Sequence, residues 1–328
     1  MNVMRLLPVG LLALLGACSD SSVQSVKSVM TDTPVVPAIV PKPHVPRVAL
    51  IMKSLTNPFF IEIEKGARMA EREAGIELQV TATSQETAVE QQIQLIEDQI
   101  KRKVDAIIII PDDPQRLIPA LKKAQDAGIK VVNIDDRLNP EAIAASGMQP
   151  VPFISVDGEE AAYRAAKFAA ESIDHPSDVA IIEGVRSTEN SVKRLRGAER
   201  AFKENSKLRI VASETARWKI DEGYEVAKRM FKAHPKIRVV SCANDLMAIG
   251  VMKYISESGK TGVRVAGFDG LEEAKAAIRA GDLAVTVDQQ PAQQGYQGIM
   301  TAVKLLRGEV VANDVRVEAR LLTFEQLK

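Results

Sequence analysis

Short apolar runs alternate with stretches of helical periodicity from Arg47 to the C-terminus. The runs that predict strands are VALIM, ELQVTA, VDAIIII, IKVVNI, DVAIIE, RIVAS, IRVVS, VRVAGF and LAVTV. Amphipathic stretches that predict helices lie between them, from PFFIEIEKG to PAQQGYQG. Ile107 to Ile110 is apolar at consecutive positions, which is typical of a strand buried on both faces of a parallel sheet. The pattern therefore predicts an α/β fold with doubly wound parallel sheets.

Glycines mark the ends of several predicted helices. Gly75, Gly128, Gly259 and Gly308 each close an amphipathic stretch and are soon followed by a strand, as expected for C-terminal caps. About nine or ten βα units exceed what one open sheet usually carries. Two domains, each with its own sheet, are the simpler interpretation. The segment PVPF at 150–153 interrupts the alternation and predicts a boundary there.

The N-terminus has the pattern of an export signal. Arg5 precedes the apolar run LLPVGLLALLGA, which is too short to span a bilayer and has the size of a signal-peptide core. The run continues into LGAC, ending at Cys18, which resembles the lipobox of bacterial lipoproteins. We therefore interpret residues 1–18 as a lipoprotein signal peptide with its lipidation site at Cys18, and two or more acyl chains would anchor the protein to a membrane. The alternative is a plain secretory signal with an incidental cysteine.

Residues 19–46 show neither helical nor alternating periodicity. Ser and Val residues come first, and five prolines follow between Pro34 and Pro46. Such a composition favours extended, polyproline-like chain. The segment is predicted to be a tether between the lipid anchor and the folded part.

Charge and composition argue against several classes of function. The 328 residues include 43 Lys plus Arg and 43 Asp plus Glu, so the formal net charge is zero and no nucleic-acid partner is expected. Cys242, the second of two cysteines, is interpreted as a buried apolar residue at a strand end, with a catalytic thiol as the alternative. ESGKTG follows a predicted helix and lacks the first glycine of a phosphate loop, so it predicts a helix end.

An enzyme is one alternative to a binding protein. The paired carboxylates Asp135 and Asp136 could perform acid/base chemistry. However, the strand-to-helix turns contain no nucleophile elbow, metal-spaced histidine pair or dinucleotide loop. We therefore expect no catalytic residue, no metal and no cofactor.

Planar polar groups and aromatic rings follow the predicted strands. Ligands of open α/β sheets bind beyond the carboxyl ends of the strands, so these positions form the candidate site. Carboxylates, amides and guanidinium groups each make two directed hydrogen bonds, and rings pack on C–H faces. This combination suits a ligand with many hydroxyl groups, although any single member could instead cap a helix. The positions are Lys53 with TNPFF, Pro111–Asp113, Asp135–Arg137, GVRSTEN after Glu183, Arg217 with Trp218, Ala243–Asp245, Phe268–Gly270 and Asp288–Pro291.

The motifs TNPFF, NIDDR, CANDLMAIG, VAGFDG and VTVDQQP occur in this order. Together they resemble the type I periplasmic binding proteins, specifically the ribose-binding-like sugar branch, from about Arg47 to the end. The resemblance implies two Rossmann-like domains with a hinge of three crossings, near Val156, Gln290 and residue 319, and a ligand in the cleft between them. It assigns the segments of the two lobes as follows: 47–156 plus 291–318 for the N-terminal lobe, and 157–290 plus 319–328 for the C-terminal lobe.

The resemblance also implies roles for individual residues. Asn57 is expected to bond the ligand, Phe59 and Phe60 to stack on it, and Asp135 to accept a pair of its hydroxyls. The other implied ligand-binding residues are Asp136 or Arg137 in the same loop, and Trp218, Asn244, Phe268, Asp269 and Gln289 in the second lobe.

Two departures from the family pattern bear on the ligand. Lys53 stands where the ribose-binding proteins have a small hydroxyl residue. The helix after GVRSTENS lacks the arginine that reaches the sugar in that branch, which leaves Asn190 and Arg194 as candidate substitutes. Both departures count against ribose itself. We expect a monosaccharide, a polyol or a similar hydroxylated solute.

The implied function is extracytoplasmic solute capture for an ABC importer. The protein is expected to be a monomer in the periplasm or at the cell surface, lipid-anchored to a membrane, with an inner-membrane ABC permease as partner. Closure is expected to be a population shift, because ligand contacts to both lobes exist only in the closed state. The alternative is a tethered sensor that presents the closed form to a chemoreceptor or membrane kinase. A sugar-responsive repressor shares this core, but the export signal excludes it.

Overall fold

The computed structural model describes residues 44–328, and Cys18, the signal peptide and residues 19–43 of the tether lie outside the described residues. The strands are β1 (Arg47–Met52), β2 (Glu77–Ala82), β3 (Ala106–Ile109), β4 (Lys130–Ile134), β5 (Phe153–Val156), β6 (Ser177–Glu183), β7 (Leu208–Thr215), β8 (Ile237–Cys242), β9 (Arg264–Ala266), β10 (Thr286–Asp288), β11 (Asp314–Val317) and β12 (Arg320–Leu322). The α-helices are α1 (Pro58–Ala74), α2 (Val89–Lys101), α3 (Ile118–Asp126), α4 (Pro140–Ser146), α5 (Gly158–Ala170), α6 (Glu189–Lys203), α7 (Ile220–Ala233), α8 (Asp245–Glu257), α9 (Glu272–Ala280) and α10 (Pro291–Leu306).

The first sheet has six parallel strands in the order β11-β5-β4-β3-β1-β2. Val48, Leu50 and Met52 of β1 belong to the core that contains the apolar faces of α1 and α10. Ala49 and Ile51 belong to a second core with α2 and α3. Both faces of the sheet are therefore covered, which explains the consecutive apolar positions in its strands. We call this sheet, with α1–α4 and α10, the first lobe.

The second sheet has four parallel strands in the order β7-β6-β8-β9. Strand β10 continues its edge through isolated bridges from Val285 to Ala266 and from Asp288 to Asp269, and β12 pairs antiparallel with β10. Helix α5 packs on α6 and α7 packs on α8, and both pairs contact the sheet. We call these strands, with α5–α9, the second lobe.

The chain passes between the lobes three times. It runs from β5 into α5, from β10 into α10, and from β11 into β12. These passages lie near Val156, Gln290 and residue 319, and the α/β fold with two Rossmann-like domains is as the sequence predicts. The residue-by-residue boundaries of the two lobes stay a prediction.

Several local predictions are confirmed. The glycines Gly75, Gly128, Gly259 and Gly308 have φ between 63° and 85°, the left-handed region that ends helices at little cost for glycine. ESGKTG is the end of α8 and the turn after it, rather than a phosphate loop. Cys242 is buried at the end of β8, and burial raises the pKa of its thiol, which favours the apolar interpretation over a catalytic one.

The hydrophobic pattern did not predict five short elements, namely β5, β11, β12, α4 and α9. The three strands and α4 are too short to establish a period. Helix α9 buries only Ala274 and Ile278, so its apolar face is narrow. Within residues 44–328, no helix is long and apolar enough to cross a membrane, and no cluster of His, Cys, Asp and Glu is placed to hold a metal ion.

Helices α1 and α10 meet through glycine. A Cβ at Gly66 would lie 1.7 Å from the carbonyl oxygen of Ala292, and a Cβ at Gly295 would lie 2.1 Å from the carbonyl oxygen of Ile63. Both distances are far below van der Waals contact, so only glycine permits this approach of the two backbones. The contact packs α10, which follows the second passage between the lobes, against α1, which begins at the end of β1.

We expect Gly295→Ala to lower the free energy of unfolding by about 1–3 kcal/mol. The clash outweighs the roughly 1 kcal/mol by which Ala exceeds Gly in helix propensity. Gly158→Ala is the matched control, because a Cβ there would meet only the Lys193 side chain at 3.9 Å. Urea unfolding followed by circular dichroism measures both variants. Unchanged or increased stability of Gly295→Ala would contradict the close contact.

Candidate ligand-binding site

A pocket lies where strands of both lobes end. Aromatic rings, charged groups and amide groups line it. The lining residues are Lys53, Asn57, Phe59, Phe60, Glu86, Asp135, Asn190, Arg194, Trp218, Asn244, Asp269 and Gln289.

The segment NPFF forms one wall at the start of α1. Asn57 caps the helix, since its Oδ1 accepts a hydrogen bond from the Phe59 N–H at 3.0 Å, and Pro58 occupies the first position, where no donor is needed. The amide nitrogen of Asn57 donates to Glu86 at 3.2 Å. Phe59 and Phe60 are buried edge to face, with ring centres 5.3 Å apart. The same residues therefore begin the helix and line the pocket.

The loop after β4 holds Asp135 at a φ of 65°, a strained conformation for a residue with a side chain. Asn133 Nδ2 donates to the backbone oxygen of Asp136 at 2.8 Å, and Ser155 Oγ donates to the backbone oxygen of Asp135 at 2.8 Å. These bonds fix the loop so that the Asp135 carboxylate lines the pocket. Burial raises the pKa of Asp135 to about 6.

Arg194 of α6 lies against two aromatic rings. Its guanidinium carbon is 3.9 Å from the centre of the Phe268 ring and 5.5 Å from that of Trp218, both within cation–π range. One of its terminal nitrogens donates to the Ala243 carbonyl at 2.8 Å. Its buried Nε has no hydrogen-bond partner in the part of the chain that the structure describes. An unpaired buried donor costs about 1–3 kcal/mol, so a ligand oxygen there would be stabilising.

The helix after GVRSTENS contributes Arg194 to the pocket. Arg194 is one of the two candidate substitutes for the arginine of the sugar branch, and it lines the pocket. Asn190 also lines it, so both candidate substitutes are present.

Trp218 occupies a place that only glycine leaves open. A Cβ at Gly184, just after β6, would lie 2.0 Å from the indole ring. Arg217 and Trp218 both have positive φ, 45° and 69°, in the turn between β7 and α7. The strained turn and the missing side chain together allow the indole to line the pocket while it stays 6% exposed.

Asp269 and Gln289 form the part of the wall next to Arg194. Gln289 Nε2 donates to Asp269 Oδ1 at 2.7 Å, and the same oxygen lies 3.5 Å from Arg194 Nη1. Burial raises the pKa of Asp269 well above its usual range. Gln289 Oε1 is buried without a partner among residues 44–328, and Gln289, like Arg194, lines the pocket.

Asn244 stabilises the start of helix α8 in the second lobe. Its Oδ1 accepts a hydrogen bond from the Met247 N–H at 2.9 Å and caps α8, and its Nδ2 donates to the Trp218 carbonyl at 3.4 Å. Asn244 lines the pocket, but most of its hydrogen-bonding capacity serves the fold.

Three predicted ligand-binding residues do not line the pocket. Phe268 lies beneath Arg194, Asp136 pairs with Lys53, and Arg137 packs on the Phe153 ring at 4.0 Å. Arg137 also pairs with Glu189 and Asp314. Phe268 and Asp136 contact residues that line the pocket, but they do not line it themselves.

Glu86 lines the pocket, and sequence reasoning missed it. It lies in the loop after β2, at the same edge of the sheet as the loops that carry Lys53 and Asp135. Because ligands of such sheets bind at the residues that follow the strands, the position of Glu86 after β2 already marked it as a candidate. Burial raises the pKa of Glu86.

Known proteins resemble this chain over most of its length. A family model described as a periplasmic binding protein domain matches residues 48–309. The D-ribose/D-allose-binding protein of Pseudomonas aeruginosa is 37% identical over 81% of this chain and 84% of that protein. The D-allose-binding periplasmic protein of Escherichia coli is 31% identical over 84% of this chain and 89% of that protein. A solved periplasmic solute-binding protein of an ABC transporter from Actinobacillus succinogenes, with bound D-allose, has a TM-score of 0.81 at 35% identity and covers 86% of this chain and 99% of its own.

Carboxylates crowd the first-lobe side of the pocket around a single lysine. Burial lowers the pKa of Lys53, but the carboxylates of Asp136, Asp135, Glu86 and Asp112 together raise it above its usual value, so Lys53 stays charged. Asp112 is buried near this lysine, where its Oδ2 accepts from Thr83 Oγ1 at 3.3 Å. Burial raises the pKa of Asp112 to about 7.

We expect Asp112→Asn to raise Tm more at pH 7.5 than at pH 5. The raised pKa means that the folded protein holds a proton that the unfolded chain loses, so ionisation of Asp112 costs stability as pH rises from about 4 through 7. Asparagine stays neutral throughout, so this cost disappears in the variant. Calorimetric Tm values between about pH 4.5 and 8 test the effect. Parallel curves for the two proteins would contradict the burial of a titrating carboxyl at this position.

Proposed function

The chain belongs to the periplasmic binding protein family, and on that premise we propose that it captures a monosaccharide outside the cytoplasmic membrane for an ABC importer. Its relatives are solute-binding proteins and not enzymes, as the sequence predicts. The observation that carries the proposal is the pocket itself, whose lining combines three aromatic rings with Arg194 and Gln289, each of which has a buried polar atom without a partner among residues 44–328.

The chemistry of the wall supports a sugar as the ligand. The rings of Phe59, Phe60 and Trp218 offer apolar surface for C–H faces, and the carboxylates of Asp135 and Asp269 offer paired acceptors for hydroxyls. The relative from P. aeruginosa is named for binding D-ribose and D-allose, the relative from E. coli for binding D-allose, and the solved protein from A. succinogenes holds D-allose. We therefore propose D-allose or a closely related aldose.

The charges of the lining favour a neutral ligand. Glu86, Asp135 and Asp269 face only two cations, Lys53 and Arg194. A sugar acid would add a further buried negative charge, and an uncompensated buried charge costs several kcal/mol. Aldonates and uronates should therefore bind far more weakly than neutral aldoses.

We expect calorimetry on the detergent-solubilised full-length protein to detect binding of D-allose and not of D-gluconate. Asp135→Ala should weaken D-allose binding by about 10- to 150-fold, since a hydrogen bond to a charged group is worth about 1.5–3 kcal/mol. Asp113→Ala is the control, because that carboxylate follows the neighbouring strand β3 but bonds only backbone N–H groups of its own turn. Equal affinity of Asp135→Ala and wild type would place the site elsewhere.

We further propose that the protein is a lipoprotein anchored through Cys18. Its support is the position of LGAC at the end of the apolar run, and a proline-rich segment long enough to act as a tether follows it. Anchoring would keep the binding domain near the membrane that holds the permease, and an acylated cysteine needs no spanning helix. The monomer is proposed to present its closed form to that permease.

We expect the wild-type protein to enter the detergent phase on Triton X-114 partitioning of whole cells, and Cys18→Ser to stay in the aqueous phase. The reason is the loss of the acyl chains, each worth about 0.8 kcal/mol per buried CH₂. Cys242→Ser is the matched control, because Cys242 is buried in the folded domain and carries no lipid. The anchor is refuted if Cys18→Ser and wild type partition alike.

A further inference from the structure

Asp136 lies behind the pocket wall and joins groups of both lobes. Its Oδ2 accepts a hydrogen bond from Lys53 Nζ at 3.1 Å, and its Oδ1 accepts one from the backbone N–H of Asn190 at 3.2 Å. Lys53 and Asp136 belong to the first lobe, whereas Asn190 is the second residue of α6 in the second lobe. The Lys53 and Asp136 side chains are 4% and 2% exposed, so salt screens this ion pair little.

The bond to Asn190 is a helix cap supplied from the opposite lobe. The first N–H groups of a helix have no partner within the helix. Thr188 satisfies one of them from its own lobe, since its Oγ1 accepts from the Ser191 N–H at 3.3 Å. Asp136 satisfies the Asn190 N–H, and its negative charge lies at the positive end of the α6 dipole.

Neighbouring residues strengthen the same junction. Asn190 Nδ2 donates to Asp135 Oδ1 at 3.2 Å, and Arg137 Nε lies 3.6 Å from Glu189 Oε2. Three consecutive residues after β4 thus contact the first two residues of α6. The same helix carries Arg194, so the junction also bears on where that side chain lies in the pocket.

We propose that Asp136 is a positioning residue that couples closure of the lobes to assembly of the pocket, by capping α6 from the first lobe and so orienting Asn190 and Arg194. The proposal rests on the proposed function and names a residue that acts without touching the sugar. Lys53 holds the carboxylate in place and balances its charge. Because these bonds exist only when α6 meets the loop after β4, they favour the closed state independently of the ligand.

Two consequences follow from this coupling. The ligand-free protein samples the closed arrangement to an extent set by Asp136. In addition, the apparent affinity for sugar depends on that population, because a binding-competent state that is rarer gives a proportionally higher apparent Kd. A residue that acted only on the stability of its own lobe would change neither quantity.

Pulsed electron paramagnetic resonance tests the proposal, with one spin label on the exposed face of α1 and one on that of α7. Asp136→Ala should shift the ligand-free distances to longer values and weaken D-allose binding about ten-fold. Saturating D-allose should restore the wild-type closed distance. Asp136→Asn should give an intermediate shift, because its amide oxygen still accepts from the Asn190 N–H but its charge is lost.

Thr188→Ala is the matched control, since it removes the cap that α6 receives from its own lobe. It should lower Tm and leave the ligand-free distances unchanged. Ligand-free distances of Asp136→Ala and Asp136→Asn that match wild type overturn the proposal. If D-allose binds none of these proteins while the ligand-free distances still shift, the coupling stands and the proposed function fails. Should Asp136→Ala not fold, Asp136→Asn carries the comparison.

Discussion

The buried carboxylates of the pocket are tolerable only because Lys53 and Arg194 lie among them. An ionised group loses several kcal/mol of hydration on burial, and opposite charges return only part of that loss. The pKa values of Asp135, which lines the pocket, and of Asp112, which is buried near Lys53, are raised because this compensation is incomplete. The polar loops at the strand ends, with their caps and strained backbone, hold these charges at distances where they offset one another.

Several pocket residues serve both the fold and the site. Asn57 and Asn244 use their amide oxygens to cap α1 and α8, and both residues line the pocket. The start of each helix is therefore fixed by a residue of the pocket. A ligand that binds there meets backbone and side chains already held in place, so little conformational entropy remains to be lost on binding.

The sequence predicted best those site residues that directly follow a strand. Lys53 and Asp135 follow apolar strands, and parallel strands bring their carboxyl ends to one edge, so their meeting was foreseeable. The sequence could not separate the roles of Asp136 and Asp135, because the pattern does not reveal the backbone conformation of their loop, where Asp135 has a φ of 65°. Arg194 was undervalued because it reaches the site from the second turn of α6, and the rings of Phe268 and Trp218 that direct it are distant in the chain.

The indole of Trp218 lies over Gly184 at a distance that leaves no room for a methyl group. The missing Cβ at Gly184 therefore determines where the Trp218 ring lies in the pocket, although Gly184 itself does not line the pocket. An alanine there would displace the indole and change the space for a sugar while every residue that touches the sugar stayed the same. Relatives with identical lining residues can therefore differ in ligand preference, and comparisons restricted to contact residues would not detect the cause.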